Sequence, residues 1–221
     1  MPTTATAADP LARALMPVLL HRLNNATQVL AGWNSLLGIP AADALLARRA
    51  DDLADAARTT DDVGWALAVL ASAAGADLLL ERRSARGLEP ILAFVREALR
   101  RAGRDLAVPA ERLPSLASEA PGGSEPWAAA WVAASWLHAC GAALPAGETL
   151  RWDLGRGRDG WTLACEGVGD AAFAAARAAI EARVAGCGFE LARGRAAVRL
   201  PAGSIVAGSI VDRPIVEGEA R

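Results

Sequence analysis

His21 is one of only two histidines in the chain, and it stands with Asn24, Asn25 and Gln28 in a stretch that otherwise reads as helix, HRLNNATQVLAGW. At 100° per residue, Asn25 and Gln28 fall on the face of His21, one and two turns along, with Gly32 after them. The apolar positions of the same stretch centre about 140° away from His21 at that angular step. Polar helix residues are by default a solvated face. Here the composition argues otherwise, because free surface in this chain goes mainly to Arg, Asp, Glu and Ala, whereas this stripe is neutral, hydrogen-bonding and centred on an imidazole. An exposed imidazole near neutral pH has a ring nitrogen that can attack phosphorus, forming a phosphoramidate of high transfer potential. An amide one turn downstream can donate to a phosphoryl oxygen or hold a water in line, which is chemistry by positioning. One His among amides is a poor ligand set for a first-row metal, and His138 is too remote to complete a known spacing.

The element that must present this stripe is a long helix. Leu15, Leu19, Ala26, Leu30, Trp33 and Leu37 recur at spacings of three, four and seven from about Asp9 to Gly38. Asp9 before Pro10 supplies a cap and a first-turn proline; Gly38 and Pro40 supply the stop. Pro17 removes one backbone donor inside it, so a kink is expected there. A second helical region runs from Ala41 to about Gly75, and Thr59, Thr60 and Asp61 mark the place where it would break if it breaks. Two long amphipathic helices joined by a short turn make a hairpin. One hairpin cannot cover both of its apolar stripes, so a homodimeric four-helix bundle is expected.

After Arg86 the character changes. Leu88 to Gly103 is amphipathic helix, and Pro109 to Pro126 is a Pro- and Gly-rich stretch containing PGGSEP. An Ala- and Trp-rich helix follows from Trp127 to Ala143. Thr149–Leu154 and Gly160–Cys165, joined by GRGRDG, read as a hairpin rather than a phosphate loop, because Gly and Asp are what such turns demand. Ala171 to Ala185 is helical, and Phe189–Leu191 with Ala196–Leu200 form a second hairpin. Helix, helix, hairpin, helix, hairpin is the order of an α+β sandwich with helices on one face of a small, mainly antiparallel sheet. The domain reading is residues 1–86 for the helical hairpin, 87–203 for the sandwich and 204–221 for a tail. Trp127, Trp131 and Trp136 lie at mixed spacing along one helix, so at least one is expected to face a partner.

Composition narrows the classes. The net charge is -2, there is no Lys and no long basic run, so nucleic acid is disfavoured as a partner. Cys140, Cys165 and Cys187 are scattered without a CxxC spacing and read as small buried hydrophobes. With neither a signal-like N-terminus nor about 18 uninterrupted apolar residues, the expected location is the cytoplasm, away from membranes.

HRLNNATQVLAGWNSLLG resembles the phosphoacceptor helix of two-component sensor histidine kinases: His21, Leu23, Asn24 and Asn25 match the pattern. Arg22 stands where that family has the acidic residue that assists phosphorylation from ATP, and Ala26 where Pro is usual. WLHACGAALPAGETLRWDL is similar to the ATPase-domain segment that carries the metal-binding Asn, with His138 at that position. CEGVGDAAF is similar to a worn Asp-x-Gly-x-Gly box, keeping Glu166, Gly167 and Gly169 without the adenine-binding Asp. GCGFELARGRAAVRLPAG is similar to the closing hairpin of that domain. Over about residues 10–203 the chain thus most resembles the bacterial histidine phosphotransferases of the ChpT type. The resemblance implies a dimeric four-helix bundle followed by a degenerate Bergerat, histidine-kinase ATPase-like sandwich. It implies a homodimeric phosphorelay protein with no ATP binding and no cofactor, Mg²⁺ being supplied only at the partner. His21 would be phosphoacceptor and Asn25 would position the phosphoryl group. Arg22 would contact phosphate or partner, and Asn24 and Gln28 would lie in the partner interface. Response-regulator receiver domains would be the partners, with a hybrid histidine kinase upstream. The alternatives within the same fold are a non-catalytic pseudokinase adaptor and a receiver-domain phosphatase.

Overall fold

The computed structural model describes residues 9–37, 39, 43–75, 88–108, 126–157, 160–192 and 194–200. PGGSEP up to residue 125, the boundary drawn at residue 86 and the tail 204–221 lie outside them.

The first helix, α1 (Pro10–Leu37), is helical over the expected span and continues through Pro17. Its start is fixed by Asp9, whose Oδ1 accepts the Leu11 N–H at 2.9 Å, with Pro10 in the first helical position where no donor is needed. The second region is two helices, α2 (Asp43–Arg48) and α3 (Ala50–Ala73), and the interruption falls at Arg49 rather than at Thr59–Asp61. The reason lies in Thr60, whose hydroxyl donates to the Ala56 carbonyl at 2.9 Å within α3, so the residue that looked like a breaker is satisfied inside the helix. α3 gives way at Ala74 and Gly75, the latter in the left-handed region at φ +77°.

α1 and α3 pack on one another as the expected hairpin. The hairpin has a root and a tip. Leu11, Leu15, Val18 and Leu19 of α1 are fully buried, as are Val63, Ala66 and Val69 of α3. Between Thr27 and Asp55 no described residue is buried. α1 also carries a seam that, apart from the half-buried Leu23, this chain leaves exposed. Met16, Leu20, Leu23, Thr27, Leu30, Asn34 and Leu37 follow one another at alternating steps of four and three. Leu20 and Leu37 on it are 58% and 67% exposed.

The second half begins with α4 (Glu89–Arg101) and β1 (Asp105–Leu106), a two-residue strand too short to leave a sequence signal. Arg100 and Arg96 both grip Asp105 and hold its carboxyl well below the usual range, which ties β1 to α4. Next come α5 (Pro126–Ala142), β2 (Thr149–Leu150), β3 (Trp152–Gly157) and β4 (Gly160–Glu166). α6 (Asp170–Glu181), β5 (Gly188–Ala192) and β6 (Arg195–Arg199) complete the order. The segment Thr149–Leu154 is therefore two strands divided at Arg151. β2 pairs in parallel with β1, while β3 joins an antiparallel four-stranded sheet of order β3-β4-β6-β5. Along β6, Ala196 and Val198 point inward and Arg195 and Arg199 outward, the alternation of a sheet covered on one face.

That cover is α5, which is apolar all round and buried all round. Trp131 and Trp136 are wholly inaccessible and Trp127 is half-buried, so the mixed tryptophan spacing follows a central helix with neighbours around most of its surface. Trp136 meets Phe173 of α6 edge-on at 5.9 Å and Phe189 of β5 at 6.0 Å. Gly141 lets α4 come close, since a Cβ there would lie 2.6 Å from Leu99 Cδ1. The core is continuous: Leu15 of α1, Val69 of α3, Ile91 of α4, Trp131 of α5 and Val198 of β6 belong to one cluster. A second tie is polar, with Asp9 Oδ2 accepting the Trp131 indole N–H at 3.1 Å and lying 3.6 Å from Arg183.

Candidate functional site

His21 sits where α1 leaves this core. The buried side of α1, taken over Leu11, Leu15, Val18, Leu19 and Ala26, is about 110° from His21 around the helix, and the uncovered seam is about 150° away on the other side. His21 is accordingly exposed, and so are Asn24, Asn25 and Gln28. The structure brings all four onto one strip of helix surface that neither the core nor the seam uses.

Within the strip the Asn25 side-chain amide, Nδ2, lies 3.3 Å from His21 Nε2. With the proton on Nδ1, Nε2 is placed to accept from that amide. At 3.3 Å the bond is long for N–H···N, so an electrophile can displace it at small cost. The amide it releases is then free to donate to the incoming group.

Arg22 points the other way. Its position falls about 100° from His21, on the core-facing side of α1, and its guanidinium meets Glu97 of α4, with Nε at 2.8 Å and Nη2 at 2.7 Å from Oε2. The second oxygen of Glu97 accepts from Arg101 Nη2 at 2.8 Å. Arg22 is therefore engaged across the joint between hairpin and body. Glu97 is the neighbour that sequence reasoning missed, because 75 residues separate the pair and no pattern links them.

The second half offers much less chemistry. His138 on α5 is mostly enclosed, and burial lowers its pKa while the Asp9 carboxylate opposes the shift. Glu166 ends β4 in solvent, Gly167 makes the turn at φ +75°, and Gly169 precedes α6. These glycines border a recess of about 320 Å³, at the small end for ligand sites, lined also by Cys140, Leu144, Val168 and Asp170. Among the described residues Asp170 is the one charged residue on its wall, a carboxylate. β3 and β4 stay paired up to Gly157 opposite Gly160, and Arg158 and Asp159 between them lie outside the described residues.

All three cysteines are free thiols, Cys140 and Cys165 buried and Cys187 partly so. A hydrogen bond with Cys140 together with burial drives the Cys165 thiol far above its ordinary range, and burial pushes Cys187 up to about 11. Thiols so disfavoured as thiolates behave as packing groups. Among the described residues no cluster of three His, Cys, Asp or Glu could hold a metal ion, and no helix is long and apolar enough to cross a membrane. Compared with protein-family models and with curated proteins, the chain matches none.

Proposed function

We propose that the protein is a homodimeric histidine phosphotransferase that carries phosphoryl groups between the aspartates of response-regulator receiver domains through His21, in the cytoplasm and without binding ATP. The observation that carries this reading is the exposed His21 with the Asn25 amide 3.3 Å from Nε2, on a strip clear of both the core and the seam. In the forward step the Nε2 lone pair forms a P–N bond as the P–O bond to the donor aspartate breaks. The donor leaves as carboxylate, and the ring keeps its Nδ1 proton. The Asn25 amide, displaced from Nε2, donates to a phosphoryl oxygen. Return to a second receiver is the same step reversed, with Mg²⁺ held in the receiver and not by this chain. Asn24 and Gln28 flank the ring as partner contacts.

Two further features support the reading. The seam has the a/d spacing of a coiled coil, with Met16, Leu23, Leu30 and Leu37 seven apart and a polar Asn34 at one alternate position, the kind of residue that fixes register. A second copy laid along it would complete a four-helix bundle while leaving His21 outside. The α+β half, helices on one face of a mainly antiparallel sheet, is compatible with a degenerate Bergerat sandwich. It would serve as docking surface, because one helix face gives less than the roughly 800 Å² per partner of an ordinary interface.

The test is to incubate the purified protein with phosphorylated receiver domains and follow the label. Label should reach wild type and not His21→Ala, and ATP alone should give none. Label that never arrives, or arrives equally in His21→Ala, defeats the proposal. Loss of receiver phosphate without phosphohistidine, abolished by Asn25→Ala, would instead make the protein a receiver phosphatase.

A further inference from the structure

The arrangement around Arg22 assigns it a different task from touching phosphate. Val18 and Leu19 below His21 are fully buried, but beyond it Leu23 is only partly covered and Ala26 is the last buried residue on α1, so packing against the body thins from the level of His21 outward. Arg22 is the charged residue at that level which reaches the body. Both its Nε and Nη2 converge on one oxygen of Glu97, and Arg101, one turn further along α4, holds the other oxygen. Glu97 is thus fixed on its own helix before Arg22 arrives. It is also the more enclosed partner, its side chain 21% exposed against 51% for Arg22.

A guanidinium about 6 Å from the helix axis moves about 2 Å when the helix turns by about 20°, which breaks hydrogen bonds of this length. A reacting group must be held within about 10–20° of its productive orientation. The ion pair and the chemistry therefore share the same angular tolerance. We propose that Glu97 is a positioning residue for transfer at His21. Through Arg22 it sets the rotation of α1 and so the direction in which the imidazole is presented. The inference rests on the phosphotransfer reading and adds to it a residue on another helix, with a role for Arg22 that is indirect.

The experiment compares wild type, Glu97→Gln, Arg22→Glu and the exchanged pair Arg22→Glu/Glu97→Arg, using a phosphorylated receiver domain as donor and, separately, the small donor phosphoramidate. Partial exposure limits the pair to a modest effect. Glu97→Gln should lower the saturating rate of transfer from the receiver by about three- to tenfold, with the half-saturating receiver concentration unchanged. Labelling by phosphoramidate, which needs no oriented docking, should be unchanged, as should far-UV circular dichroism. The exchanged pair should recover most of the loss. If Arg22 acted on the phosphoryl group itself, the exchange would be as slow as Arg22→Glu alone, and that outcome overturns the proposal. So does a Glu97→Gln rate equal to wild type, or a loss seen equally with phosphoramidate. Wild type that no receiver labels brings down the phosphotransfer reading, and this inference with it; labelled wild type with an indifferent Glu97→Gln brings down this inference alone.

Discussion

Replacing Asp9 by Ala should destabilise the whole protein, although the residue precedes the first helix. Its two oxygens serve two donors: Oδ1 takes the Leu11 N–H at 2.9 Å and Oδ2 takes the indole N–H of Trp131 at 3.1 Å, with Arg183 at 3.6 Å. Loss of a helix cap costs about 1 kcal/mol. Trp131 is wholly inaccessible, so its N–H cannot turn to water, and an orphaned buried donor costs about 1–3 kcal/mol. Together these give about 2–4 kcal/mol for Asp9→Ala, or roughly 5–15 °C in Tm for a chain of this length. Asp9→Asn keeps one acceptor of the two and should lose about half as much. Thermal unfolding followed by far-UV circular dichroism and by tryptophan fluorescence reads both variants. The two probes should shift together, because one core joins α1 to α5. An Asp9→Ala variant within about 0.5 kcal/mol of wild type would refute the assignment of Asp9 as the pin between α1 and the body.

Two other outcomes can be measured readily. Leu20→Ala removes a seam side chain that is 58% exposed in the single chain; counted in both copies of the proposed dimer, the lost burial is about 2–3 kcal/mol, so that dimer should weaken about 30- to 150-fold. Sedimentation over a concentration series reads this, and a wild-type monomer at every concentration would end the seam argument. The second concerns acid. His138 has a folded pKa below its ordinary value, so as pH falls below about 6.5 the unfolded chain takes up the proton first and stability declines; above that pH the group contributes no slope. His138→Gln should flatten the decline in denaturation midpoint between about pH 7 and 5, and an unaltered slope would show that burial does not govern this imidazole.

The parts of this molecule that could be read from sequence are those in which one local rule decides the outcome. α1 follows from its three-and-four spacing and from Asp9-Pro10, and the outward direction of His21 follows from the same arithmetic. β5 and β6 follow from alternation and a short turn. Rules failed where tertiary context chose between permitted states. Thr60 weakens a helix on average, but its hydroxyl found the Ala56 carbonyl, while the true interruption came at Arg49 with neither Gly nor Pro to announce it. β1 exists because Asp105 and Leu106 lie beside Thr149 and Leu150, not because of any propensity of two residues. The tryptophans of α5 defied a facial reading because a helix surrounded on every side has no face. At the site itself His21 and Asn25, one turn apart, were legible, whereas Glu97 was not, since a contact across 75 residues is a property of the fold.

Because the root of α1 shares its interior with α4, α5 and the sheet, the helix that carries His21 is not a detachable cassette. Cut free after Ala74, the α1–α3 hairpin would keep its own packing but lose the cover that α4 and α5 give to Leu11, Leu15, Val18 and Val69. Grafting its chemistry onto another protein would mean transplanting the helices beneath it as well, so here the handle and the blade are forged as one piece.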